Sequence, residues 1–159
     1  MNFHIGHGFD VHRLVPGRKL WLGGVLVPYV RGLAGYSDAD VLIHAICDAL
    51  LGAMASGDIG NHFPDTDESF RDIDSKLLLK NVSEIMQEDG WVVGNLDSTL
   101  IMEEPKLSPY IDEMRAIIAD ILETDINNIS IKATTTEGLG PEGRGESISA
   151  HAVVLIEHV

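Results

Sequence analysis

Cysteine and positive charge are scarce in this chain, and long apolar runs are missing. The single cysteine, Cys47, leaves no partner for an internal disulfide and too few thiolates for a cysteine zinc cluster. Lys and Arg number 11 against 25 Asp and Glu, a net charge of -14. A surface of that sign repels nucleic-acid phosphates and anionic membranes, so neither is expected as a partner. No apolar run approaches the ~20 residues of a membrane span. The N-terminus has no basic stretch leading into an apolar one, so no secretory signal is expected, and with the lone thiol this suggests a reducing cytoplasm. Repeats, linkers and low-complexity segments are also missing.

What remains has globular proportions: 159 residues, 45% apolar and 23% charged. That is one domain, 1–159, with enough length for a sizeable core. Phe3 to His12 alternates like a strand, and Leu20 to Val27 reads as two short strands around Gly23-Gly24. Ser37, with Asp40 three residues on, is the expected cap of a helix over 41–55. On that helix Leu42, Ala45, Ile46, Ala49, Leu50 and Ala53 form one apolar stripe, and His44 lies off it. Residues 57–67 are rich in Gly, Asn, Asp and Pro and read as a long loop able to act as a lid. A helix over 75–89 ending at Gly90, a strand over 91–102, a helix from Ser108-Pro109 to Glu123 and a strand over 128–134 follow. The Gly-rich stretch 135–146 reads as a loop, and 147–159 as the last strand. Interleaved helices and strands imply an α/β fold with a mixed sheet.

Five groups can carry chemistry. Asp10 and His12 are two apart on a strand and share a face, and with His44 they suit a tetrahedral zinc that keeps one position open. An isolated D-x-H pair is more often a pair of ordinary surface or capping residues. Lys132-Ala133-Thr134-Thr135-Thr136-Glu137-Gly138 ends a strand in hydroxyls, an acid and backbone N–H groups that can approach a ligand, with Glu137 an oxygen ligand for a hard cation. The same residues also read as good strand formers followed by a turn. Asp58 can accept bonds from sugar hydroxyls, and Pro105-Lys106 can hold a phosphate or a base edge ahead of a helix. Arg144, between glycines, is either a phosphate clamp or half of an interface ion pair. The other histidines, His4, His7, His62, His151 and His158, read as structural.

In order along the chain, Gly6-His7-Gly8-Phe9-Asp10-Val11-His12, Ser37-Asp38-Ala39-Asp40-Val41 with His44-Ala45, Gly57-Asp58-Ile59-Gly60 with Phe63-Pro64-Asp65-Thr66-Asp67, Asp74-Ser75, Pro105-Lys106, Lys132 to Glu137 and Gly143-Arg144-Gly145-Glu146 resemble the 2-C-methyl-D-erythritol 2,4-cyclodiphosphate synthase family of the non-mevalonate isoprenoid pathway. The resemblance covers nearly the whole chain. It implies a homotrimer with active sites between subunits, each subunit packing its helices on one side of a mixed sheet. The implied substrate is 4-diphosphocytidyl-2-C-methyl-D-erythritol 2-phosphate, and the implied products are the cyclic diphosphate and CMP.

By matching position, Asp10, His12 and His44 would hold one zinc per subunit, and Glu137 would help hold Mg²⁺ or Mn²⁺. Asp58, Ile59 and Gly60 would meet the ribose. Met102, Pro105, Lys106, Leu107 and Ser108, with Ala133, Thr134, Thr135 and Thr136, would line the cytidine diphosphate pocket, Thr135 taking a catalytic part. Ser37 and Phe63, Pro64, Asp65, Thr66 and Asp67 would cover the erythritol end. Arg144 would lie near the trimer axis, where an isoprenoid diphosphate is a further implied partner. The family commonly has His before the Ser-Asp pair; here Tyr36 stands there, a neutral donor of one hydrogen bond toward a phosphate. A bacterial cytoplasmic enzyme, a phosphorus–oxygen lyase, is the implied whole. The rival readings are a zinc phosphohydrolase and a trimer that only binds an isoprenoid diphosphate.

Overall fold

The structure is a computed structural model describing residues 2–159. Its centre is a five-stranded mixed sheet in the order β4-β1-β7-β5-β6. These strands are β1 (Phe3–Pro16), β4 (Arg31–Leu33), β5 (Trp91–Ile101), β6 (Ile129–Thr134) and β7 (Ser147–His158). All neighbours are antiparallel except β5 and β6, which run parallel and are joined through α4 (Ile111–Ile121), as a parallel connection requires. β2 (Leu20–Leu22) and β3 (Val25–Val27) form a separate hairpin. Its two-residue turn, Gly23-Gly24, has φ of 58° and 79°, both left-handed, which only glycine adopts without strain.

The helices α1 (Val41–Ala53), α3 (Ser75–Glu88) and α4 cover one face of the sheet, as expected. Two glycines decide how close they come. A Cβ on Gly6 would lie 1.8 Å from the Ala49 carbonyl oxygen, and one on Gly8 would lie 1.8 Å from that of Ala45. The backbone of β1 therefore packs directly on α1, which sets Asp10 and His12 beside that helix. Ala150 and Ala152 of β7 also pack into the core beneath it.

Several local expectations are corrected. β1 runs four residues beyond His12 because β7 and β4 both extend its pairing; β4 itself is too short to show a pattern. The cap of α1 is Asp40, whose carboxylate accepts from the Ile43 N–H, whereas Ser37 accepts from the Ala39 N–H in the turn before it. Ala39, at a φ of 59°, separates Ser37 from the helix. α1 is not a one-stripe helix: every residue is buried except Asp48 and Gly52, because α1 lies between the sheet and α3. It stops at Ala53, where Ala55 turns left-handed (φ 54°). α4 starts at Ile111, since Leu107 to Tyr110 close a turn of their own. The two expected loops contain short helical turns, α2 (Ile59–His62) and α5 (Gly140–Gly143).

Candidate active site and metal centre

Asp40 anchors the ground on which the site stands. Its fully buried carboxylate accepts the Gly23 N–H (3.0 Å), the Gly24 N–H (2.8 Å) and the Ile43 N–H (3.1 Å). One side chain thus joins the hairpin turn to the start of α1, one turn before His44. Burial, and then the neighbouring Asp38, push its carboxyl upward against the Gly24 and Ile43 donors.

His44 points from α1 toward β1. Its Nδ1 lies 3.1 Å from Asp10 Oδ2 and 3.3 Å from His12 Nε2, and Asp10 Oδ2 lies 2.8 Å from His12 Nε2. The far side of each ring has its own partner. His12 Nδ1–H donates to the Ala34 carbonyl (2.8 Å). Ser75 Oγ–H donates to Asp38, so Ser75 Oγ accepts from His44 Nε2–H at 2.8 Å, with Ser37 Oγ at 3.1 Å beside it. These partners assign the tautomers: Nε2 of His12 and Nδ1 of His44 are the lone pairs that face Asp10.

That arrangement fits a divalent metal. One carboxylate oxygen and two imidazole nitrogens lie within 4.8 Å of one another. Ligands about 2.05 Å from a tetrahedral ion stand about 3.3 Å apart, close to the separations here. Three protein ligands would leave a tetrahedral ion one open position, and His12 and His44 line a cleft of about 390 Å³. The electrostatics agree. Burial raises the carboxyl of Asp10, but bonds to His12 and His44 outweigh it and lower its pKa to about 2. Burial lowers the imidazole of His12, and Asp10 more than reverses this, so His12 is raised above 6.5.

The cleft is walled by Tyr36, Ser37, Ile59, Gly60, Phe63, Pro64 and Asp65. Tyr36 does not project freely: its hydroxyl donates to the Asp67 carbonyl at 3.0 Å and its ring lies 5.8 Å from the Arg71 guanidinium. It therefore closes the 63–67 segment over the cleft. Asp58 caps α2 through the Asn61 N–H, and Asp48, one helical turn past His44, accepts the Ile59 N–H at 2.8 Å. Thr66 and Asp67 lie on the exposed rim.

A second cleft, about 360 Å³, is lined by Met102, Glu103, Pro105, Lys106, Leu107 and Ser108 from the turn after β5, and by Ala133, Thr134 and Thr135 from the end of β6. Thr136 and Glu137 follow in an exposed bend, Glu137 at a φ of 56°. Sequence reasoning missed what holds that bend. Glu103 Oε1 accepts from the Thr136 N–H (3.2 Å) and the Gly138 N–H (3.3 Å), while the Thr136 hydroxyl donates to the Leu139 carbonyl (2.5 Å). Nothing in the sequence spacing links residues 33 and 35 positions apart. Arg144 lies on a third hollow and is half of an ion pair, with Glu146 Oε1 at 2.9 Å. The three hollows share Glu103 only, between the second and third; the metal corner and the 102–108 cleft have no lining residue in common.

No helix among the described residues is long and apolar enough to cross a membrane. A model of the YgbB family matches residues 3–157. The 2-C-methyl-D-erythritol 2,4-cyclodiphosphate synthase of Syntrophomonas wolfei is 61% identical over 153 residues, 96% of this chain and 98% of that protein. Its namesake from Bacillus cytotoxicus is 56% identical over 155 residues, 98% of each. Among solved structures, the bifunctional IspDF of Campylobacter jejuni superposes with a TM-score of 0.95 at 39% identity; the match covers 99% of this chain, which spans 42% of that longer one. IspF of Plasmodium falciparum, in complex with CDP, superposes with a TM-score of 0.88 at 30% identity, covering 99% and 97% of the two chains. With a family match running almost end to end and relatives this similar, the chain belongs to the YgbB family, which includes the 2-C-methyl-D-erythritol 2,4-cyclodiphosphate synthases.

Proposed function

We propose that this chain cyclises 4-diphosphocytidyl-2-C-methyl-D-erythritol 2-phosphate to 2-C-methyl-D-erythritol 2,4-cyclodiphosphate and CMP, as a phosphorus–oxygen lyase of the bacterial cytoplasm. The observation that carries this reading is the Asp10–His12–His44 corner opening on a covered cleft, in a chain this similar to proteins of that name. An oxygen of the 2-phosphate forms a bond to the β-phosphorus. The bond from that phosphorus to the bridging oxygen breaks, and the electron pair leaves with CMP. No protein nucleophile is needed, so catalysis is mainly positioning.

Asp10, His12 and His44 are the residues to hold zinc, and Glu137 to help hold Mg²⁺ or Mn²⁺. When bound, such ions supply positive charge that offsets the repulsion between the phosphates. The protein's residues do the rest. Lys106, Thr134 and Thr135 hold the cytidine diphosphate arm, Thr135 next to the reacting phosphates. Asp58, Ile59 and Gly60 meet the ribose. Tyr36 and residues 63–67 keep water from the erythritol end. A chain of net charge -14 thus takes a polyanion through ions, N–H groups and few cations.

A homotrimer supports this chemistry. The metal corner and the 102–108 cleft share no residue, and exposed apolar side chains gather on the uncovered sheet face. In the assembly the cleft of one copy faces the metal corner of the next. Phosphorus NMR of the protein with the cytidine diphosphate substrate and Mg²⁺, with and without a zinc chelator, tests the reading. CMP with a cyclic diphosphate, lost on chelation, supports it. A linear product means hydrolysis and overturns it.

A further inference from the structure

The uncovered face of the sheet carries a pair of histidines that the cyclisation does not use. Gly6 and Gly8 face α1, so the odd-numbered residues of β1 point the other way. Phe3, Ile5, Phe9 and Val11 are exposed there, as is Val153 of β7. Among them are His7 and His151, with His7 Nε2 3.0 Å from His151 Nδ1. Phe9 stands opposite His151 in the register, its ring centroid 4.9 Å from the imidazole. Two of the four ring nitrogens meet each other. Among the described residues, His7 Nδ1 and His151 Nε2 have no hydrogen-bond partner.

His7 is exposed and His151 half-buried, and the two rings share one hydrogen bond; their other nitrogens lose water only where another copy covers this face, and need a partner there. Their spacing suits a metal. Nitrogens about 2.05 Å from one ion stand about 2.9 Å apart at a right angle and about 3.3 Å apart at the tetrahedral angle. The pair, at 3.0 Å, lies in that interval. β1 and β7 pair continuously from Phe3 to Arg13, so the backbone already holds both rings side by side. Phe9 and Val153, which flank the pair, carry no carboxylate, and Asp97, across from Val153, is paired with Lys132; a nitrogen-only donor set selects imidazole-binding metals over Mg²⁺ or Ca²⁺.

We propose that His7 and His151 form a second transition-metal site, for a borderline divalent ion of the zinc, nickel or cobalt class, within the sheet face through which copies of the chain meet. The pair supplies two ligands, and the same pair from neighbouring copies supplies the rest; this last point rests on the trimer proposed above.

The test uses tag-free protein, stripped with EDTA and dialysed against Co²⁺. Ions per chain are counted by mass spectrometry, and oligomeric state is read by light scattering. The wild type should hold the ion of the Asp10–His12–His44 site plus a further one, a third of an ion per chain if three pairs converge. His7→Gln and His151→Gln should each lose that increment and keep the first ion; His12→Ala should do the reverse. Equal metal content in the wild type and both glutamine variants overturns the proposal. Should those variants fail to fold, Cu²⁺ added to His12→Ala/His44→Ala protein gives a second reading. Its paramagnetic resonance should show coupling to at least two nitrogens, and absence of coupling overturns the site. The two readings separate cleanly. A monomer that loses one ion per chain in the glutamine variants keeps the histidine pair and rejects the trimer. A trimer with no further ion does the opposite.

Discussion

Replacing Ser75 by Ala would remove the outer partner of a metal ligand without touching the ligand. Ser75 is fully buried at the first position of α3, and its hydroxyl accepts the His44 Nε2–H at 2.8 Å while donating to Asp38. Outer partners of this kind contribute about 10–100-fold in metal affinity. Here the lower end applies, because Ser37 Oγ, at 3.1 Å from the same nitrogen, remains as an acceptor. Ser75→Ala should therefore weaken metal binding about tenfold, or ~1.4 kcal/mol. Ser37→Ala alone should cost less. The double variant leaves a buried N–H with no partner, which adds about 1–3 kcal/mol. Its loss should exceed the sum of the single losses. Competition with a chromophoric chelator measures all three affinities, and thermal unfolding of the metal-free proteins separates stability from binding. Near-additive losses in the double variant would refute the idea that Ser37 stands in for Ser75. Unchanged affinity in the double variant would refute the orienting role altogether.

Gly8→Ala should abolish or severely destabilise folding, since its Cβ would sit 1.8 Å from a helix carbonyl; overpacking of this kind costs about 1–3 kcal/mol or more, read as a loss of soluble expression or a fall in Tm. Glu103→Ala removes two N–H bonds to the 136–138 bend, about 1 kcal/mol each, and should raise KM for the substrate about ten- to thirtyfold; an unchanged KM would contradict its positioning role. Tyr36→Phe frees the segment held at Asp67 and should raise KM several-fold, about 1 kcal/mol for one hydrogen bond, whereas kinetics unchanged in both Tyr36→Phe and Tyr36→His would exclude a role for the side chain. Chelating the metal should stop turnover while far-ultraviolet circular dichroism stays the same, because the Ala34 carbonyl and the Ser75 hydroxyl hold the His12 and His44 rings, and β1 packs directly on α1, without it.

Much of the architecture was readable along the chain. Long elements with a clear period, such as β7 and α3, lie where alternation and caps put them. The Gly23-Gly24 turn was visible because only glycine adopts two successive left-handed residues cheaply. β4, α2 and α5 were not, because three or four residues carry no period and owe their form to neighbours. The stripe assigned to α1 failed for a related reason: a helix enclosed on nearly every side has apolar residues all round, and His44 is buried with them.

The site divides in the same way. Residue types and local spacing were enough to bring Asp10 and His12 to one strand face and to single out 57–67 and 132–137, since period and turn chemistry act over a few residues. The approach of His44 to that strand was decided by packing: Gly6 and Gly8 admit α1 against β1, and Asp40 sets where the helix begins. Packing also decided that Ser75 and Ala34 would orient the two rings, that Glu103 would hold a bend more than thirty residues away, and that His7 would meet His151. These are partnerships between side chains distant in sequence, and no pattern in one dimension encodes a distance across a sheet.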